Sequence, residues 1–295
     1  MKKNLIFAAM ALLLATSCSK DFDKEIANND TLVPVTVHVD GFSASQEDFA
    51  PTRTPSSIES YTGIDAVVLA FYNGSTETYK TVQLKDDAAT YTTFGHFSLN
   101  LPLGNYTMVA GAYKNHETGG FELTSPTTAG FAGDHAFETF VKTQTLNITN
   151  TNPVDISATL SRIVSQLKVV STDGKTAEVA NVRMTFSAGG KSFNPTTGLA
   201  TANAGFSNTV SNTATVGATT KSLTYFFLAT DEQTMNVTIE TLNADGDVLR
   251  TTTVNDVPFK RNRKTVLTGP MYNAVNMVGS FLVETDWLDD FNIPF

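Results

Sequence analysis

The sequence predicts an all-β protein of two β-sandwich domains, set behind a cleavable leader and a polar tether. Three observations carry this. Apolar and polar residues alternate with a period of two in many short segments, the mark of half-buried strands. Two strand-length runs that are apolar but for one residue each (Asp65, Thr224), Ile64–Tyr72 (IDAVVLAFY) and Leu223–Ala229 (LTYFFLA), fit sandwich interiors. No stretch after the tether holds a 3.6-residue apolar period, while turn residues recur between the short strands. The strands fall into two series that meet near residue 160. The expected division is a leader over 1–17, a tether over 18–32, and sandwiches over 33–159 and 160–295.

The leader opens with Lys2 and Lys3, continues as an apolar run from Leu5 to Ala15, and ends in Ala15-Thr16-Ser17-Cys18. The run is shorter than the ~20 residues of a membrane helix and has the form of a secretory signal. Its end resembles a bacterial lipobox, with Ala15 where Leu is commonest. Cys18 is then the expected site of lipidation, and acyl chains would anchor the chain to the outer membrane. Cys18 is the sole cysteine. Once it is acylated, disulfides, thiol catalysis and cysteine metal sites are excluded, so the fold relies on its core. The run Ser19–Glu25 is polar and charged and reads as a flexible tether. It resembles a surface-export signal of gut anaerobes, against the alternative of a plain solvated linker. Asp30-Thr31-Leu32 matches the short O-glycosylation signal of such bacteria.

In chain order, Val33, Val35, Val37 and Val39 alternate with polar residues as a first strand. Gly41–Ser57 is a polar loop with Pro51 and Pro55. Ile64–Tyr72 follows, then a turn at Asn73-Gly74. Phe97, Leu99 and Leu101 alternate, Pro102–Asn105 turns, and Tyr106–Tyr113 returns, a hairpin signal. Phe137–Ile148 and Val154–Leu160 close the first series. The second holds Ile163–Val170, a turn at Asp173-Gly174, Asn181–Phe186, Leu223–Ala229, and a hairpin about Asn243–Gly246. Next comes Val257–Leu267, read as one strand with its central cations in solvent. Met277, Gly279, Phe281, Val283, Thr285 and Trp287 alternate last.

Chemistry is mostly absent. A formal charge of −9 argues against nucleic acid as a partner. No nucleophile elbow, zinc-protease helix or phosphate-binding glycine loop occurs. His38, His96, His116 and His135 stand far apart, without metal-ligand spacing, and read as surface or edge residues. Asn243-x-Asp245-Gly246-Asp247 starts like a calcium loop, but Val254 stands where the closing glutamate belongs. The expectation is no enzyme, no cofactor and no metal.

Three segments resemble fimbrillin-type lipoproteins, the subunits of type V pili. Phe94–Tyr113 (FGHFSLNLPLGNYTMVAGAY) resembles their central hairpin. Leu160–Val169 (LSRIVSQLKV) looks like the segment opening their second domain. Val257–Tyr272 (VPFKRNRKTVLTGPMY) is similar to their late strand with its Arg-Asn-x-x-Thr-x-Leu-x-Gly core. The lipobox and the Thr-Arg loop before the second strand fit as well. The resemblance implies two transthyretin-like sandwiches and a pilus subunit that assembles with other subunits by strand exchange. It also implies an arginine-specific protease acting after the first strand, and the matching bond here is Arg53–Thr54, with Pro55 beyond it as a departure. The donor strand would come from Asn276–Phe295, which reads equally as the last strand of its own domain. Alternatives are a lipid-retained anchor or accessory subunit, and a standing surface lipoprotein that binds glycan or host ligand.

Overall fold

The computed structural model describes residues 31–42, 57–114, 119–273 and 282–284, and the strands named below lie within them. The first sandwich has one layer of β1 (Leu32–Phe42), β4 (His96–Pro102) and β9 (Val154–Arg162). Its other layer holds β2 (Ala66–Asn73), β3 (Thr76–Leu84), β5 (Gly104–Tyr113) and β8 (Thr139–Ile148). The strands run in the order β3-β2-β5-β8-β9-β1-β4. The layers join at one corner, where β8 and β9 share only the pairs Phe140↔Arg162 and Val141↔Ser161. At the opposite corner the edge strands β3 and β4 meet through Gln83. Its side-chain amide donates to His96 O at 2.8 Å and its carbonyl accepts from Gly95 N–H at 2.7 Å. Gly95 sits at φ +86°, and a Cβ there would press within 2.8 Å of Val39 O.

The second sandwich pairs a layer of β15 (Lys221–Phe226), β10 (Ser165–Ser171), β18 (Lys264–Gly269) and β19 (Leu282–Glu284) with a layer of β14 (Phe206–Ser211), β11 (Asn181–Phe186), β16 (Glu232–Leu242) and β17 (Val248–Lys260), each in that order. One topology is used twice. In each unit the first strand lies between an antiparallel neighbour and a parallel one, β1 between β4 and β9, β10 between β15 and β18. The other layers, β3-β2-β5-β8 and β14-β11-β16-β17, follow the same order. The molecule is therefore all-β and built as two transthyretin-like sandwiches.

Each unit also carries an inserted hairpin: β6 (Phe121–Ser125) with β7 (Thr128–Phe131), and β12 (Ser192–Asn194) with β13 (Leu199–Ala200). The two hairpins pair with each other in a four-stranded sheet, β13-β12-β7-β6. Gly130 lies where β7 approaches β12 most closely, since a Cβ would meet Ser192 Cα at 2.8 Å. This sheet explains why Ile64–Tyr72 lacks alternation. Val67, Leu69 and Phe71 face the first sandwich core, while Ala66, Val68, Ala70 and Tyr72 face a separate core with Phe131, Phe193 and Phe227. A strand covered on both faces reads as a continuous apolar run.

Two sequence expectations are corrected. Phe97–Leu101 and Tyr106–Tyr113 do not form a hairpin: β4 pairs with β1, and β5 with β2 and β8. The chain crosses from one layer to the other at Leu103, and alternation alone cannot tell an arch from a hairpin. Val257–Leu267 is not one strand either. β17 ends at Lys260, Asn262 turns the chain at φ +58°, and β18 begins with Lys264 buried. Strands β3, β6, β7, β12, β13 and β14 are absent from the sequence reading: β3 and β14 are mostly polar, and the other four are five residues or shorter.

Candidate functional site

The site is the slot that β1 fills. Val33, Val35, Val37 and Val39 point inward and are at most 1% exposed. Burying each contributes about 1.5–3 kcal/mol relative to exposure. β1 is hydrogen-bonded on both sides, parallel to β9 from Val35↔Val154 to Phe42↔Leu160, and antiparallel to β4 from Leu32↔Pro102 to His38↔His96. Without β1, the facing backbone edges of β4 and β9 and an apolar floor would stand open. Polar contacts line the solvent face: His38 Nε2 lies 3.1 Å from Asp155 Oδ1, and Ser157 Oγ donates to Asp40 Oδ2.

Chain leaving β1 at Phe42 returns at Ser57, which bridges back to Gly41. Arg53 and Thr54 fall between these points, outside the described residues, as do Cys18, His116 and Trp287.

The end of β1 reaches the junction between the sandwiches. The Phe42 ring lies 4.1 Å from that of Phe140 and 5.1 Å from that of Tyr61, centroid to centroid. The Arg162 guanidinium stacks 4.8 Å from the Phe140 ring. It pairs with Glu138 at 2.6 Å, donates to the Tyr61 hydroxyl at 2.9 Å, and donates to Asn262 Oδ1 at 3.2 Å. Burial pushes the Tyr61 hydroxyl well above its ordinary range; the Arg162 charge opposes this and Glu138 adds to it. Asn262 N–H in turn donates to Val164 O at 2.9 Å, and Ser165 Oγ to Lys260 O at 2.8 Å. The segments Leu160–Val169 and Val257–Tyr272, singled out separately in the sequence, are thus one contact.

Beside them lies an open cleft of about 510 Å³, with Lys142, Lys260, Arg261 and Arg263 in its wall. Much of its charge is answered locally: Lys260 pairs with Glu232 at 2.9 Å and Arg261 with Asp231 at 2.8 Å. The central cations of the basic run thus sit at a polar junction between the units.

At the other end of the chain, β19 pairs antiparallel with β18 over Val266↔Glu284, Leu267↔Val283 and Thr268↔Leu282. It is an edge strand. The chain just after β18 is held by Asp173, whose carboxylate accepts from the N–H groups of Met271, Tyr272 and Asn273 at 2.7, 2.9 and 2.7 Å. Burial alone would raise the Asp173 pKa, but the backbone donors outweigh it and hold the carboxyl below its usual range. The fold also brings His38 and His96 together, which no sequence spacing indicated.

Among solved structures the chain is similar to the fimbrial anchor protein Mfa2 from Porphyromonas gingivalis, at 11% identity over 86% of this chain and 97% of that one, TM-score 0.51. It is also similar to a candidate adhesin from Bacteroides ovatus, at 9% identity over 88% of this chain and 98% of that one, TM-score 0.50. At such identities the likeness is one of fold, and these neighbours are a fimbrial and an adhesin-class protein rather than enzymes. No curated protein matches the sequence. A family model matches residues 66–280, and the chain belongs to that family, a family of unknown function designated DUF6562.

Proposed function

We propose that this chain is a structural subunit of a surface pilus. It is exported as a lipoprotein through Cys18, reaches the cell surface by way of the outer membrane, and assembles with other subunits by β-strand exchange after cleavage between Arg53 and Thr54. Its two sandwiches are assigned to 33–159 and 160–295, with the end of β9, as far as Arg162, still paired within the first. One observation carries the reading: the first of the described strands, β1, is an interior strand paired on both sides, and the chain joins it to the rest of the sandwich through the segment that contains Arg53. Cleavage there would release β1 together with the lipid and open a slot that a strand from another copy can fill, the β-augmentation mode of recognition. The donor is the segment 276–295. Its described part, β19, holds an edge by three register pairs, against the eleven-residue, two-sided pairing of β1. That asymmetry favours exchange of the former into the place of the latter.

A second reading is the lipid-retained anchor, which keeps its first strand. Pro55 just past the bond and the fold likeness to a fimbrial anchor support it. A standing surface lipoprotein would instead use the cation-lined cleft for an acidic ligand. Intact mass of the protein recovered from the cell surface separates these. A lipid-free chain beginning at Thr54 is the expected result, and Arg53→Ala should hold it at the lipidated length and block polymer. A triacylated chain beginning at Cys18 in the native protein would overturn the cleaved-subunit reading and leave the anchor or the standing lipoprotein.

A further inference from the structure

His38 of β1 and His96 of β4 are 58 residues apart in sequence and directly opposite in the antiparallel register. Their Nδ1 atoms stand 3.3 Å apart, with ring planes at 86° and centroids 4.5 Å apart. The other nitrogen of His38, Nε2, faces Asp155 Oδ1 at 3.1 Å. An ionised carboxylate only accepts, so Asp155 selects the tautomer with the proton on Nε2 and turns the Nδ1 lone pair toward His96. The His96 main chain is fixed by the Gln83 amide, which also binds Gly95. Without a cation, His96 Nδ1–H can donate to His38 Nδ1. With one, the His96 proton moves to Nε2, and a turn of each ring by about 35° aims both Nδ1 lone pairs at one tetrahedral cation.

We propose that His38 and His96 are the protein ligands of a divalent transition-metal site, of the imidazole-preferring class of zinc and copper(II), that ties β1 to β4. Two nitrogens on one tetrahedral zinc at ~2.0–2.1 Å stand ~3.3 Å apart, the separation the two Nδ1 atoms already have. Asp155 is the outer carboxylate that orients a metal-bound imidazole and raises its basicity. Among the described residues no group of three or more His, Cys, Asp or Glu could hold a metal. Water therefore completes the shell, and the site is open and exchangeable rather than a closed structural centre. A cation shared by β1 and β4 binds only the form in which β1 is seated, and so favours that form by mass action. On the pilus reading this would set how readily the slot opens. That consequence rests on the pilus reading; the site itself does not.

The test is calorimetric titration of the tag-free full chain, in detergent, with zinc chloride. One zinc per chain is expected, with copper(II) binding more tightly and magnesium giving no signal. His38→Gln and His96→Gln should each weaken zinc at least tenfold. Asp155→Asn should weaken it about tenfold, and His135→Gln should leave it unchanged. In hydrogen exchange, zinc should slow the β1 amides of the native chain and not those of His96→Gln. Identical titrations for the native chain and His96→Gln would overturn the proposal. One metal per two chains would also overturn it, since the histidines would then join copies instead of strands. One zinc per chain on a protein whose native form is uncleaved would uphold the site while the cleaved-subunit reading falls.

Discussion

Asp173 shows how much one side chain in a turn can control. Its carboxylate gathers three successive backbone N–H groups just after β18, so it fixes the chain as far as Asn273. Because its folded pKa is depressed, its stabilising effect is complete above the unfolded value near ~4 and is lost as pH falls through the folded value. Asp173→Asn should cost about 1.5–3 kcal/mol at pH 7, the scale of hydrogen bonds to a charged acceptor. The gap to the native protein should narrow below pH 4. Urea midpoints at pH 7 and pH 3 check this, and an equal gap at both would show that the charge is not the cause. Asp173-Gly174 was legible as a turn. The three donors were not, because they lie about a hundred residues downstream.

At the scale of elements, β1 is the part on which the functional reading turns. Four buried valines give it an alternation visible in sequence, yet that pattern fits an edge strand as well as an interior one. Its neighbours, a parallel one more than a hundred residues on and an antiparallel one from the far side of β3, are decisions of topology. Val37→Asp puts a carboxylate against the apolar floor with no partner. It should destabilise the first sandwich by about 3 kcal/mol or more and raise binding of a hydrophobic dye, read in urea titration and dye fluorescence. An unchanged midpoint would mean β1 is not held as described. The arch between β4 and β5 teaches the same point from the other direction. Two well-patterned strands joined by a Pro–Gly turn looked like a hairpin, but the need to fill both layers of the sandwich sends them apart.

Across the whole molecule, one strand order appears twice, and the inserted hairpins lock the two copies through the sheet β13-β12-β7-β6. Phe193 on β12 is 1% exposed and packs 4.5 Å from the Phe227 ring, in the core it shares with Tyr72, Tyr113 and Phe131. Phe193→Ala should cost about 3–5 kcal/mol. It should split one calorimetric unfolding transition into two, as each sandwich keeps a core of its own. A single transition at a lower temperature would mean that the units remain one cooperative body without this contact.

The all-β class and most strands of both series were legible in the amino-acid sequence alone. Period-two patterning and turn residues are local properties, and local properties survive in a string of letters. The proposals for Cys18 and for the Arg53 loop likewise rest on local motifs, and both lie outside the described residues. Only the tertiary structure decided which strands are neighbours, that Ile64–Tyr72 is apolar because two different cores claim its two faces, and that the basic run Lys260–Lys264 is a turn at a junction. It alone set His38 against His96. Pairing across a sheet joins residues at any separation, and the free energy that selects it comes from filling shared cores, which no short window of sequence contains.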